Sequence, residues 1–206
     1  PPHGRIARYG WCDDYHTLIK RRLQRLCDDL RTHFPTESFR AVVDTAPLLE
    51  REYAQRAGLG WIGKNTLLID PRLGSWQLLG EIITTLAMQP ADAAGLRISD
   101  HCGTCTRCIE ACPTQCIHPQ GHRIDAPRCI SYLTIEHRSA VDPGLHPALG
   151  NWLAGCDVCQ EVCPYNQDQP PLTQAPPLLA PRRQHPEFHT PEHQETLALT
   201  AVLDWT

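Results

Sequence analysis

The stretch Cys102-Gly103-Thr104-Cys105-Thr106-Arg107-Cys108-Ile109-Glu110-Ala111-Cys112-Pro113 decides how this chain is read. Its spacing, Cys-x2-Cys-x2-Cys-x3-Cys-Pro, is that of ferredoxins with two [4Fe-4S] clusters. Three close thiolates take three irons of one cubane, and the fourth cysteine reaches the other cluster. A second run, Cys156-x2-Cys159-x3-Cys163-Pro164, repeats the last three positions but carries Leu153 where the first cysteine would stand. The missing ligand must come from elsewhere. Cys129, in Arg128-Cys129-Ile130-Ser131, is the only cysteine between the runs apart from Cys116, and the insertion 130–155 separates it from Cys156. Crossing the fourth ligands assigns Cys102, Cys105, Cys108 and Cys163 to one cluster and Cys129, Cys156, Cys159 and Cys112 to the other. A proline directly after Cys112 and after Cys163 turns the chain away once that ligand is placed.

Zinc is the rival metal, but four cysteines so close together, followed by a second Cys-Pro run, do not form the two separated pairs of a zinc site. Disulfides suit an oxidising compartment, and eleven cysteines without a leader segment speak for a reducing one. Cys12, Cys27 and Cys116 are left over. Cys27 falls near an apolar helix face and reads as core filler, whereas Cys116 reads either as a small buried residue or as a spare thiol. Paired clusters relay single electrons; the alternative is that they only staple a loop-rich domain.

Outside the cysteines, 206 residues with 41% hydrophobic content are enough for a real core. The nineteen prolines, like the cysteines, concentrate in the second half. No apolar run reaches the roughly 20 residues that span a bilayer. The formal charge of −4 excludes a uniformly basic nucleic-acid surface, although Lys20, Arg21, Arg22 and Arg25 form a local basic run that also suits a solvated helix face. A start at Pro1 and an end at Asp204-Trp205-Thr206 lead us to expect an internal piece of a longer chain.

The region before the cysteines is mixed helix and strand. Tyr15, Leu18, Ile19, Leu23, Leu26, Leu30 and Phe34 predict an amphipathic helix over 13–34. Phe39 to Asp44 reads as a buried strand ending at a functional loop, and 48–57 as a helix closed by Gly58. Gly60 to Asn65 reads as a glycine-punctuated turn before a strand at 66–69, and Asp70, Pro71 and Gly74 as another turn. The run 76–88 is expected to be a strand, with a helical turn possible before it. A polar loop after Gln89-Pro90, short helical turns at the cysteine runs, a proline-rich linker from 167 to 181 and a capped helix over 190–203 complete the expectation.

Several separate motifs then bring in a resemblance. Val43-Asp44-Thr45-Ala46-Pro47-Leu48-Leu49-Glu50-Arg51, Ala57-Gly58-Leu59-Gly60-Trp61-Ile62-Gly63-Lys64-Asn65-Thr66, Gly103-Thr104-Cys105-Thr106-Arg107-Cys108, Arg128-Cys129-Ile130-Ser131 and Gly155-Cys156-Asp157-Val158-Cys159 occur in the order in which similar motifs occur in epoxyqueuosine reductases. The chain resembles that family from about Arg5 onward. The resemblance implies an α+β protein, with a mixed α/β, nitroreductase-like cobalamin-binding domain followed by a ferredoxin-like domain with two [4Fe-4S] clusters. On that division, 1–96 would be the C-terminal part of the cobalamin-binding catalytic domain, 97–168 the cluster domain, and 169–206 the linker and the start of a helical region.

The implied activity is reduction of epoxyqueuosine to queuosine at the wobble position of tRNA, with electrons passing through the clusters to cobalamin. The implied partners are the modified tRNA and an external electron donor, with no membrane, in a cytoplasmic monomer. Asp44 matches the family's proton donor, although by itself it also suits a helix cap or turn. Leu68 and Leu79 match backbone contacts to the corrinoid, and alone would read as core. Ser131 and Asp157, beside Cys129 and Cys156, would face cobalamin, and Asp157 equally suits a turn. Lys64 and Asn65 could face cofactor, RNA or neither. No Asp-x-His-x-x-Gly segment marks a histidine-ligated cobalt. Lys20 to Arg25, Arg138, Arg182 and Arg183 are available for phosphates. The rival functions are a corrinoid-dependent reductive dehalogenase and a plain two-cluster electron carrier, the latter needing neither Asp44 nor the glycine-rich turn.

Overall fold

The computed structural model describes residues 3–11, 13–88 and 99–167 and the backbone of 196–198. Cys12, the loop after Gln89, the proline-rich linker from 168 onward and the Arg182-Arg183 pair lie outside these residues.

The first long element is helix α1, Tyr15–His33. Asp14 caps it by accepting the His16 N–H at 2.9 Å, as an acidic residue does at a helix N-terminus. Leu23, Cys27 and Leu30 lie along one stripe and pack on Phe39, Ala41 and Ile82. Cys27 is fully buried, in keeping with its reading as core filler. Leu26 and Phe34, expected on that stripe, are exposed: Leu26 lies at the margin of the stripe, about 40° from Leu30, and Phe34 lies past the last helical residue. Lys20, Arg21, Arg22 and Arg25 are all exposed.

Strand β2, Phe39–Val42, pairs antiparallel with β5, Glu81–Thr84, in the register Phe39↔Thr84 to Val42↔Glu81. Phe39, Ala41 and Ile82 face α1. Arg40, Val42, Glu81 and Ile83 share the other face. The 76–88 strand is thus limited to its β-branched end, and no helical turn precedes it. Between these strands come α2, Glu50–Arg56, closed by Gly58 at φ 75°, and the pair β3, Trp61–Ile62, with β4, Leu68–Ile69. The expected turn therefore spans less than 60–65, because Trp61 and Ile62 join a ladder. A Cβ on Gly60 would run into the carbonyl oxygen of Ile69, so only glycine admits this approach.

Three further strands were not legible in the sequence. β1, His3–Ile6, runs parallel to β6, Trp152–Ala154, and this pairing ties the N-terminal segment to the cysteine region. β7, Thr196–Ala198, adds antiparallel to the other edge of β1. This corrects the helix expected over 190–203 at those three positions: the open edge of β1 offers unpaired backbone groups, and pairing satisfies them. The cysteine region itself holds short helices, α3 Arg107–Ala111, α4 Ile130–Ile135, α5 His146–Leu149 and α6 Val158–Glu161. No helix among the described residues is long and apolar enough to cross a membrane.

Candidate functional site

The thiols fall into two sets. Cys108 is pushed up to about 11 by burial and then by the neighbouring Cys102, Cys163 and Cys105. Those four sulfurs line one side of a cavity of about 200 Å3. Burial also raises Cys156, to about 12, with Cys129 and Cys112 among the charges adding to it. Cys159 is raised by burial and by Cys156, Cys129, Cys108 and Cys112. The fold thus brings Cys163 to the Cys102–Cys108 loop and Cys112 near Cys129, Cys156 and Cys159.

The residues around these thiols fit an iron-sulfur cluster. Burial raises Cys102, Cys156 and Cys163, while N–H groups at their sulfurs favour the thiolate. These belong to Lys64 at Cys102, Val158 at Cys156, and Tyr165 and Asn166 at Cys163. At Cys129 the N–H groups of Tyr132 and Ser131 do the same. Trp61 is fully buried, and its Nε1 has no oxygen or nitrogen acceptor; it faces the Cys102 sulfur. His101 and Tyr165 hold that indole edge-on, with centroids at 5.0 and 4.8 Å. Among the described residues no group of three or more His, Cys, Asp or Glu closes around a single ion. A cubane takes one thiolate per iron corner and requires no such convergence.

Lys64 and Asn65 support the thiol loops. The Lys64 ammonium donates to the Gly103 and Cys105 carbonyls at 2.7 and 2.9 Å. Asn65 is buried, donates to the Cys159 carbonyl at 3.4 Å and accepts from the Leu67 N–H at 3.2 Å. Cys116, left over in the sequence reading, is buried with its sulfur 3.5 Å from that of Cys112, beside Cys129.

Asp44 lies just beyond β2, in the left-handed region at φ 51°. Its N–H donates to Glu50 Oε1 at 2.6 Å, and its Oδ2 meets His16 Nε2 at 3.0 Å. The other His16 nitrogen meets Asp14 Oδ1 at 2.7 Å, so the helix cap also orients the imidazole. Burial lowers the His16 pKa, but hydrogen bonds to Asp44 and Asp14 outweigh it and leave the value raised. Sequence reasoning missed His16; an Asp-x-His at the start of a helix was the available signal. The Asp44 side chain is 58% exposed, so this chain's own residues do not provide the burial expected around a proton donor.

Tyr9 connects Asp44 to the second thiol set. Burial raises its pKa to about 12, with Asp157, Glu136 and Asp44 adding to the effect. It meets Tyr15 edge-on at 6.3 Å, and Tyr15 stacks on His16 at 4.0 Å. Asp157, next to Cys156, is 3% exposed and accepts the Arg8 N–H at 2.7 Å. Burial raises Asp157 to about 6 against that bond. Ser131 opens α4 beside Cys129. Leu68 is buried in β4, and Leu79 is half-buried before β5.

Comparison with known proteins gives this geometry a family. Residues 101–166 match the profile of a 4Fe-4S double cluster binding domain, and residues 1–45 match that of epoxyqueuosine reductase QueG, DUF1730. An epoxyqueuosine reductase of Synechocystis sp. is 47% identical over 168 residues, 81% of this chain and 56% of the relative. One from Vibrio cholerae is 38% identical over 205 residues, 100% of this chain and 51% of the relative. The chain is homologous to epoxyqueuosine reductases over most of its length. It spans about half the length of the epoxyqueuosine reductases it matches. A solved epoxyqueuosine reductase with an epoxyqueuosine-modified tRNA-Tyr stem loop superposes with a TM-score of 0.78 at 32% identity, covering 98% of this chain and 49% of that one. The Bacillus subtilis epoxyqueuosine reductase, with its aspartate-bearing catalytic loop swung out of the active site, superposes with a TM-score of 0.77 at 31% identity over the same shares.

Proposed function

We propose that the protein containing this chain reduces epoxyqueuosine to queuosine in tRNA, and that residues 1–96 form the C-terminal part of a nitroreductase-like, cobalamin-binding domain, 97–168 the two-cluster domain and 169–206 a linker leading into a further region. The observation that carries this reading is the position of Tyr9, whose phenol is acted on both by Asp157 beside Cys156 and by Asp44. Tyr9 thus lies near both Asp44 and the residue that follows Cys156.

Cys102, Cys105, Cys108 and Cys163 would hold one [4Fe-4S] cluster, and Cys129, Cys156, Cys159 and Cys112 the other. Leu68, Leu79, Ser131, Asp157 and Asp44 would line the corrinoid. Bound cobalamin would supply low-potential electrons at the epoxide carbon. Removing the epoxide oxygen as water takes two electrons and two protons, and Asp44 would hold a proton for that oxygen. His16 steadies the carboxylate at 3.0 Å. The burial that would make Asp44 a general acid at neutral pH would come from the bound corrinoid and RNA. Lys20, Arg21, Arg22, Arg25 and Arg138 are exposed and suited to phosphates. The donor of electrons would be an external protein or small reductant, and the setting a cytoplasmic monomer.

The test uses the full-length protein reconstituted with iron, sulfide and cobalamin and assayed on an epoxyqueuosine-containing stem loop. Turnover is expected, and Asp44→Asn should lower it by about 100-fold or more while both clusters and the corrinoid remain by absorbance. Failure to bind corrinoid would overturn the assignment; normal turnover in the variant would remove Asp44 from the chemistry.

A further inference from the structure

The loop that carries Asp44 is tied down by a carboxylate. Glu50, the first residue of α2, accepts the Asp44 N–H at 2.6 Å, and this holds an aspartate whose backbone sits in the strained left-handed region. Glu81, the first residue of β5, lies opposite Val42 in the last register pair before this loop, and the Glu50 carboxylate acts on it. Glu81 Oε2 is buried and has no hydrogen-bond partner among the described residues. Two carboxylates in this position can satisfy each other only if one carries a proton, which it then donates to the other.

We propose that Glu50 and Glu81 share one proton and form a latch that holds the Asp44 loop in place. Glu81 is thereby a positioning residue for the reaction proposed above, acting through Glu50 and not on the substrate. The loop has somewhere to go: in the Bacillus subtilis relative the aspartate-bearing catalytic loop is swung out of the active site. Other charges around the pair do not replace the shared proton. Arg40 occupies the next register pair on the same face, opposite Ile83, and is exposed. α1 meets the opposite face through apolar Leu23 and Leu30, and its His16 is engaged by Asp44 and Asp14. Among the described residues, the charge that acts on Glu81 is Glu50.

The direction of the pH response follows. Burial, then the charge of Glu50 and the bond to it, raise Glu81 from an ordinary 4.5 to about 7. A group whose value is raised in the closed state stabilises that state fully below its ordinary value. The stabilisation is lost as pH rises through about 7, where two facing anions push the latch open.

Amide hydrogen exchange of the peptide covering 43–49 reads the latch directly in the full-length, cluster-loaded protein. Expressed as protection factors, exchange in the unmodified protein should accelerate about tenfold between about pH 6 and about pH 8. Glu81→Gln, whose amide donates to Glu50 at every pH, should keep the low-pH protection throughout. Glu50→Gln reaches the same result from the other side, since its carbonyl still accepts from Asp44 and its amide donates to Glu81. Glu50→Ala should be unprotected at every pH. The kcat on the modified stem loop should fall over the same pH range with KM unchanged, and Glu81→Gln should remove the Glu81 step from that profile. Protection in both Gln variants that tracks the unmodified protein across the range, or wild-type protection in Glu50→Ala, would overturn the latch. Absence of any epoxyqueuosine turnover would instead remove the proposed function and leave the exchange result to decide the latch.

Discussion

Asp44 and His16 show how much of a site depends on single hydrogen bonds. His16 Nε2 lies 3.0 Å from Asp44 Oδ2, and the ring is held from behind by Asp14 at 2.7 Å. Because the His16 value is raised above 6.5, the charged pair with Asp44 is complete below that pH and is lost as pH rises through the raised value. Both side chains are more than a third exposed, so the effect on stability is small and the effect on Asp44 orientation is what a measurement should seek. His16→Gln should remove an ionisation above about pH 6.5 from the pH profile of kcat. An unchanged profile would show that the imidazole does not govern Asp44. Asp44 was a candidate only through the family resemblance, since a carboxylate at a strand end by itself reads as a cap or turn. Its partners were not legible, because His16, Glu50 and Glu81 come from three elements that only folding brings together.

At the scale of elements, the turn between β3 and β4 acts as a brace for the first thiol set. Lys64 spans from this turn to two carbonyls of the Cys102–Cys108 loop, and Trp61 presents its indole N–H to Cys102. Lys64→Met keeps the length of the side chain and removes both bonds. Iron content should drop from about eight per chain toward about four, with the remaining cluster spectrum intact, because only one loop loses its support. Full iron content in that variant would assign Lys64 another role. The insertion 130–155 makes a complementary case for the second set. It forms α4 directly after Cys129 and returns through β6 to Cys156, so both ends of the insertion reach one site. Cys129→Ala is expected to lose about four irons from about eight. Retention of all of them would point to Cys116, whose sulfur is 3.5 Å from that of Cys112, as a substitute ligand.

Across the whole molecule, the junction between the N-terminal segment and the cysteine region rests on few residues. Arg5 stacks over Trp152 at 4.0 Å and pairs with Glu161 at 2.7 Å, while its backbone joins β1 to β6. Asp157 adds a bond from the Arg8 N–H. Arg5→Ala removes a cation–π contact and a partly buried ion pair, and should cost about 1–2 kcal/mol in a denaturation experiment on the cluster-loaded protein. A change below about 0.3 kcal/mol would show that the β1–β6 backbone ladder holds the junction alone.

The sequence by itself determined the double-cluster character of the cysteine region, since ligand spacing is a local property. It also determined α1, β2 and α2, whose apolar periods and glycine stops are read residue by residue. Tertiary structure decided the rest. The β1–β6 ladder pairs residues about 150 positions apart, and two- to four-residue strands carry no period long enough to see. Lys64 and Asn65 became supports of the thiol loops because the β3–β4 turn folds against them. Cys116 joined the second thiol set for the same reason: proximity through space leaves no mark on spacing along the chain.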